Sequence, residues 1–256
     1  PKIRVEIFGG GTNTVNVTGS GSAWSFTLVN PTRRERVAIQ AWRMIDPQVT
    51  ESAILVPGDG WFIVAGRASQ IDATTWHYEY AVQNLSSDRS GGAFHVPCPA
   101  GVSVTEIGFH DVDYTNGDGP GNVNVSGTDW PGSVSGNAVS WATETFTQNQ
   151  AANAIRWGTL YNFRFDASTP PTTGTLTLGL FKPGTPETVE ISGFPVPSAP
   201  PVCLADWNDD GFADSQDFFE FAAAWFDQQP AADFNQDGEI NSQDFFEFLS
   251  AFFAGC

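Results

Sequence analysis

Over residues 1–193, apolar side chains recur at every second position in short runs. Trp76, Tyr78, Tyr80 and Val82 alternate with His77, Glu79, Ala81 and Gln83, and Leu176, Leu178 and Leu180 alternate with Thr177 and Gly179. A longer run sets Ile155, Trp157, Thr159, Tyr161, Phe163 and Phe165 against Arg156, Gly158, Asn162 and Arg164. A period of two, carried by aromatic and β-branched residues, predicts half-buried antiparallel strands. The run 102–109 starts on one phase and shifts, which predicts a bulge near Glu106. No helical run of ten or more residues precedes Pro201. The pattern predicts a mainly β fold for residues 1–193, an antiparallel β-sandwich with a jelly-roll as the variant. Trp76, Trp141 and Trp157 fall in strand patterns and are expected in its core. Trp24, Trp61 and Trp130 are less constrained.

Residues 194–202 are crowded with proline, which removes backbone donors and fixes φ, so they read as an extended, semi-rigid linker. From 203 to 256 the pattern becomes helical, and a repeat with a period of 27 residues emerges. The first copy is the loop 206–217 and the second is 233–244. In loop one, oxygen-bearing groups fall at Asp206, Asn208, Asp210, Asp214 and Asp217, with the carbonyl of Phe212 between. In loop two the same places hold Asp233, Asn235, Asp237, Asn241 and Asp244, with the carbonyl of Glu239. Gly211 and Gly238 sit at the sixth position of each, where a sharp turn is needed. Calcium takes about six to eight hard oxygen ligands, and this spacing wraps a chain around one ion. The prediction is two Ca2+ ions in a small all-α module.

Charge supports a cation. The chain has a formal net charge of -18, and twelve of its 29 acids lie beyond Val202, where no Lys or Arg occurs. So dense an acidic cluster repels itself unless cations or water screen it. The same balance disfavours nucleic acid and anionic membrane surfaces as partners. No apolar run reaches the roughly 18 residues of a membrane-spanning helix. The start at Pro1, the strand-rich composition and the scarcity of lysine predict a processed, secreted protein.

The duplicated D-x-N-x-D-G loop, the Asp at loop position 12 and the helix after each loop resemble the dockerin family over residues 203–256. That resemblance implies a protein partner, a cohesin-like module, met by the helices after the loops. The tenth and eleventh loop positions are Ser215-Gln216 and Ser242-Gln243. The segment S-Q-D-F-F-E-F recurs intact at 215–221 and 242–248, so Phe218, Phe219, Phe245 and Phe246 join the expected contact surface. The aromatic load departs from the family: Phe221, Trp225 and Phe226, and Phe248, Phe252 and Phe253, add to it. A unit this small cannot bury them all, which predicts a core and a sticky face. The β region, through 78–85 and 156–165, is similar to one in uncharacterised bacterial secreted proteins.

Cys203 and Cys256 bracket the module and are expected to pair, whereas Cys98 is expected as a buried free thiol. Asn16, Asn84 and Asn124 each open an N-glycosylation triplet. The acidic stretch 110–118, from His110 through Asp111 and Asp113 to Asp118, reads as a polar loop or a third calcium site. Glu79 and Glu106 are the candidate glycosidase carboxylates, and the nine tryptophans suggest polysaccharide binding. At the N-terminus, Ile3, Val5 and Ile7 alternate with charged residues ahead of Gly9-Gly10-Gly11. That is the pattern of residues 1–11 acting either as the domain's own first strand or as one donated to a neighbour. Together these features predict a non-catalytic extracellular assembly protein, a subunit of a filament or surface layer. It would dock onto other copies of itself or a cohesin-like protein. The alternative is a carbohydrate-binding or polysaccharide-degrading component on a scaffold.

Overall fold

The computed structural model describes residues 15–21, 23–28, 36–117, 119, 121–200 and 203–255. The chain divides into two compact units, Pro1–Ala199 and Pro200–Cys256.

The first unit is mainly β and antiparallel. A hairpin pairs β1 (Val15–Ser20) with β2 (Ala23–Leu28). A short helix, α1 (Gln40–Ile45), precedes β3 (Thr50–Leu55), β4 (Trp61–Gln70), β5 (Trp76–Asn84), β6 (Gly91–Pro97) and β7 (Val104–His110). There follow β8 (Gly132–Ser135), β9 (Ala138–Ala142), β10 (Leu160–Ala167), β11 (Pro171–Leu180) and β12 (Thr188–Pro197). Besides the hairpin they form two five-stranded sheets, in the orders β3-β4-β5-β10-β7 and β12-β11-β6-β9-β8.

The alternating pattern explains the layering. Phe62, Val64, Tyr78, Tyr80, Val82, Phe163 and Phe165 of one sheet share a single core with Phe94, Val96, Trp141, Leu176, Leu178 and Ile191 of the other. Across that core the rings of Phe94 and Phe163 lie 4.7 Å apart, centroid to centroid. At Gly66 the sheets come so close that a Cβ would meet the Tyr80 ring at 2.7 Å and the Phe194 ring at 3.0 Å. The bulge expected near Glu106 is present. The pairing of β10 with β7 shifts between Arg164 and Asp166, and Glu106 takes a left-handed φ of 50°.

Three expectations are corrected. The linker does not begin at 194: β12 runs through Pro197, Phe194 is fully buried, and Tyr80 Oη donates to the Pro195 carbonyl at 2.6 Å. β12 is an edge strand, where a proline's missing N–H forfeits no ladder bond on the open side. The strand expected from Ile155 begins only at Leu160. Gly158, at φ 81°, turns the chain, and Trp157 is left 76% exposed rather than in the core. Trp130, in a loop without any periodic signal, is instead buried. It stacks on Phe109, and its Nε1–H donates to the Asn153 carbonyl.

The second unit contains α2 (Ser215–Phe226), a 3-10 turn at Pro230–Ala232, and α3 (Ser242–Ala254). Phe221, Ala224, Ala232 and Phe248 are its buried centre, with Trp207, Phe218, Trp225, Phe234, Phe245 and Phe252 packed around them.

Candidate metal loops and aromatic helix faces

The two loops fold alike, atom for atom. In the first, Asp206 Oδ1 accepts from the Asp210 N–H at 3.0 Å and Oδ2 from the Gly211 N–H at 2.8 Å. In the second, Asp233 accepts from the Asp237 and Gly238 N–H groups at 3.1 and 2.9 Å. Asn208 and Asn235 each accept from the residue two ahead at 3.0 Å. The left-handed positions also match: Asp209 and Gln236 at φ 58° and 59°, Gly211 and Gly238 at 94° and 91°. A local hydrogen-bond code written twice produces the same backbone twice.

Asp217 and Asp244 tie loop to helix. Asp217 Oδ1 accepts from the Trp207 and Asn208 N–H groups and Oδ2 from the Asp214 N–H at 2.8 Å. Asp244 does the same with Phe234, Asn235 and Asn241. Reciprocally, Asp214 and Asn241 cap α2 and α3 and accept from the Gln216 and Gln243 N–H groups, closing a capping box at each helix start. Both carboxyl groups are buried. Desolvation pushes them up, but the backbone N–H donors outweigh it and hold both below the usual carboxylate value.

Among the described residues no group of three or more His, Cys, Asp or Glu side chains is gathered as a metal cluster. The loops offer a different donor set, one of carboxylates, Asn amides and backbone carbonyls. A carboxylate has about four lone-pair sites. Asp217 uses three of them on backbone donors, so its first role is to order the loop. Asp206 and Asp210 keep more capacity free, with two bonds and one bond accepted respectively. Buried Asp217 and Asp244 have no cationic side chain in their unit, because Lys, Arg and His are absent beyond Val202. Oxygen-only donors in a unit without a cationic side chain fit a hard cation.

The aromatic residues sort by face. Phe218, Phe221 and Trp225, with Phe245, Phe248 and Phe252, point into the small core. Phe219 and Phe226 on α2 and Phe246 and Phe253 on α3 are exposed by 67, 74, 66 and 81%. Ser215, Gln216, Ser242 and Gln243 are exposed beside them. Each exposed pair is seven residues apart and lies along one helical stripe.

Other expected residues are placed as follows. Cys203 is disulfide-bonded, and its expected partner Cys256 lies outside the described residues, as do Ile3, Val5, Ile7 and Asp118. Cys98 is buried and free, and burial pushes its thiol up. Asp111 accepts from Asn153 Nδ2. Asn16 lies in β1, and Asn124 is exposed with its Oδ1 accepting from the Gly117 N–H. Asn84 is corrected as a glycan site. It is fully buried, and Nδ2 donates to the Ser87 and Ile155 carbonyls while Oδ1 accepts from the Ser87 N–H. Glu79 and Glu106 lie on strands β5 and β7 with β10 between them, on the order of 10 Å apart across the sheet. Sequence reasoning missed the polar row on that sheet's outer face, where His77 Nδ1 meets Asp166 at 2.6 Å and Nε2 meets Glu79 at 3.2 Å. The alternation of 76–83 names these residues but does not say which strands become neighbours.

No protein-family model matches the chain, and no curated protein matches it.

Proposed function

We propose that this is a non-catalytic extracellular assembly protein. Its β-sandwich is the building block, and its C-terminal unit is a dockerin-like module closed by two calcium ions. Loop residues Asp206, Asn208, Asp210 and Asp214, and Asp233, Asn235, Asp237 and Asn241, with the carbonyls of Phe212 and Glu239, would hold the ions. Asp217 and Asp244 would complete the ligand sets from the helix starts. A bound calcium supplies the positive charge that the twelve acids lack. Because Asp217 and Asp244 belong to both loop and capping box, ordering the loops also orders α2 and α3. Those helices then present Phe219, Phe226, Phe246 and Phe253 to a partner, either another copy of the chain or a cohesin-like protein.

The observation that carries this reading is the exposed aromatic quartet. Four Phe side chains held open to water in duplicate positions are costly to a lone module and suited to a buried interface. The Cys203 disulfide supports an oxidising, extracellular setting. The test is negative-stain electron microscopy of the pure protein in millimolar calcium and in chelator, repeated with Phe219→Glu/Phe246→Glu. Ordered assemblies that need both calcium and the Phe pair support self-docking. Dispersed particles that capture a cohesin module through the same Phe pair support the foreign partner. Dispersed particles that capture none overturn the docking reading.

A further inference from the structure

The sheet β3-β4-β5-β10-β7 has a second face, turned away from the shared core. Helix α1 covers part of it, with Ile39 packed on Ile63, Ala65 and Ala81. Between helix and sheet remains a cavity of about 230 Å³, lined by Ile39, Trp42, Glu79, Ala81, Leu160 and Asn162. That is smaller than the roughly 300 Å³ at which drug-sized sites begin, and it suits one six-membered ring. Its floor is apolar, from Ala81 and Leu160, and its indole wall is Trp42. Two polar groups flank the floor: β10 sets Asn162 directly across from Ala81 and Arg164 across from Glu79.

Two more tryptophans, both exposed, lie beside the end of β5 at which this face stops. Phe62 and Val64 point into the core, so alternation puts Trp61 on the outer face with Ile63 and Ala65. The Leu85 N–H bonds the Trp61 carbonyl at 2.9 Å, and the Gly158 N–H bonds the Asn84 carbonyl at 2.9 Å. Trp61 and Trp157 therefore flank the end of β5 from opposite sides, on the order of 10 Å apart across two strand spacings. They are 44% and 76% exposed. Leu85 lies four residues beyond Ala81 along the chain, so the pair lies on the order of 13 Å from the Ala81 end of the cavity.

Charge narrows the ligand. Glu51, Glu79 and Asp166 stand on this face against Arg164, and Arg67 is paired with Asp46. That balance disfavours an anionic ligand. Flat indoles offer apolar faces, and Glu79, Asn162 and Arg164 offer hydrogen bonds that hydroxyl groups can use.

We propose that this face binds a neutral polysaccharide, one pyranose ring seated beside Trp42 and the chain running on to Trp61 and Trp157. The test is affinity electrophoresis of the full chain through gels containing xyloglucan, galactomannan or laminarin, with polygalacturonate as the charged control. Retardation is expected with at least one neutral polymer and not with polygalacturonate. Trp61→Ala and Trp157→Ala should each weaken it by about tenfold, equivalent to about 1.4 kcal/mol. Glu79→Gln, a change without loss of volume, should weaken it as well. Trp24→Ala, on the separate β1-β2 hairpin, should leave it unchanged. No retardation by any neutral polymer, retardation only by polygalacturonate, or retardation indifferent to Trp61 and Trp157 would overturn the proposal.

Discussion

The rings of Phe221 and Phe248 stack with centroids 4.0 Å apart and planes 12° from parallel. They are equivalent residues of the two repeats, so the duplicated sequence meets itself at the centre of its own core. Trp207 and Phe234, the second residues of the two loops, close over the pair edge-on, Trp207 at 5.0 Å from Phe221 and Phe234 at 5.7 Å from Phe248. Phe248→Ala should therefore cost the small unit about 3–5 kcal/mol, as large-to-small changes in a packed aromatic core do. Phe246→Ala, on the exposed face, should change its stability by no more than about 0.5 kcal/mol. Thermal unfolding of the two variants in calcium checks the contrast, and equal losses would contradict the sorting of faces.

The loop carboxylates give a second prediction. In Asp217→Asn, the amide that replaces one carboxylate oxygen meets a donor head-on, either the Asp214 N–H or the Trp207 and Asn208 N–H groups. The loss should be about 1.5–3 kcal/mol, the range for hydrogen bonds to a charged group. Calcium linkage is measured in the same experiment. At a free calcium of about 100 times Kd, binding to the folded state alone stabilises it by about 2.7 kcal/mol per site. Calorimetry should show a C-terminal transition that rises with calcium and disappears in chelator, beside a β-unit transition that does not move. A C-terminal transition indifferent to chelator would remove calcium from the account.

The loops were legible in the sequence because their interactions are local. Each donor and acceptor lies within ten residues of its partner, from Trp207 to Asp217 at the widest. The strands were legible wherever one face is buried, as at 76–83 and 176–180. Legibility failed where a pattern ran through a tertiary event. Ile155, Trp157 and Thr159 keep the phase of β10, yet Gly158 turns the chain before the strand begins. Trp130 has no phase at all, and its burial depends on Phe109 and Asn153, partners more than twenty residues away. Asn84 reads as a glycan acceptor, but its amide is consumed by a backbone turn and by Ile155, 71 residues on.

The pH response of the β unit has a definite sign. His95, half-buried on β6 with Nδ1 at 2.8 Å from Ser140 Oγ, has its pKa lowered below 6.5 by burial. A folded pKa below the unfolded one means the neutral ring is preferred in the fold. Its contribution is fully present above pH about 6.5 and is lost as pH falls through the lower folded value. His95→Gln cannot titrate. Its melting temperature should fall less steeply than that of the parent chain on acidification below pH about 6.5. Parallel curves would assign the acid response to other groups.

The boundary between the units gives the last prediction. Read as composition, 194–202 is a linker, and a chain ending at 193 should then keep a complete β unit. The structure requires the opposite. Phe194 and Val196 sit in the shared core, and the Pro195 carbonyl accepts from Tyr80 Oη across 115 residues of chain. Ending the chain at 193 removes these side chains from the β12 edge and leaves Tyr80 Oη, on a nearly buried ring, without its acceptor. That variant should unfold or aggregate, whereas one ending at 199 should keep the thermal transition of the β unit. Tyr80→Phe isolates one part of the difference. It removes the donor to the half-buried Pro195 carbonyl and should cost about 0.5–1.5 kcal/mol, the net worth of one hydrogen bond. Equal melting temperatures for the chains ending at 193 and 199 would return 194–197 to the linker and detach β12 from the core.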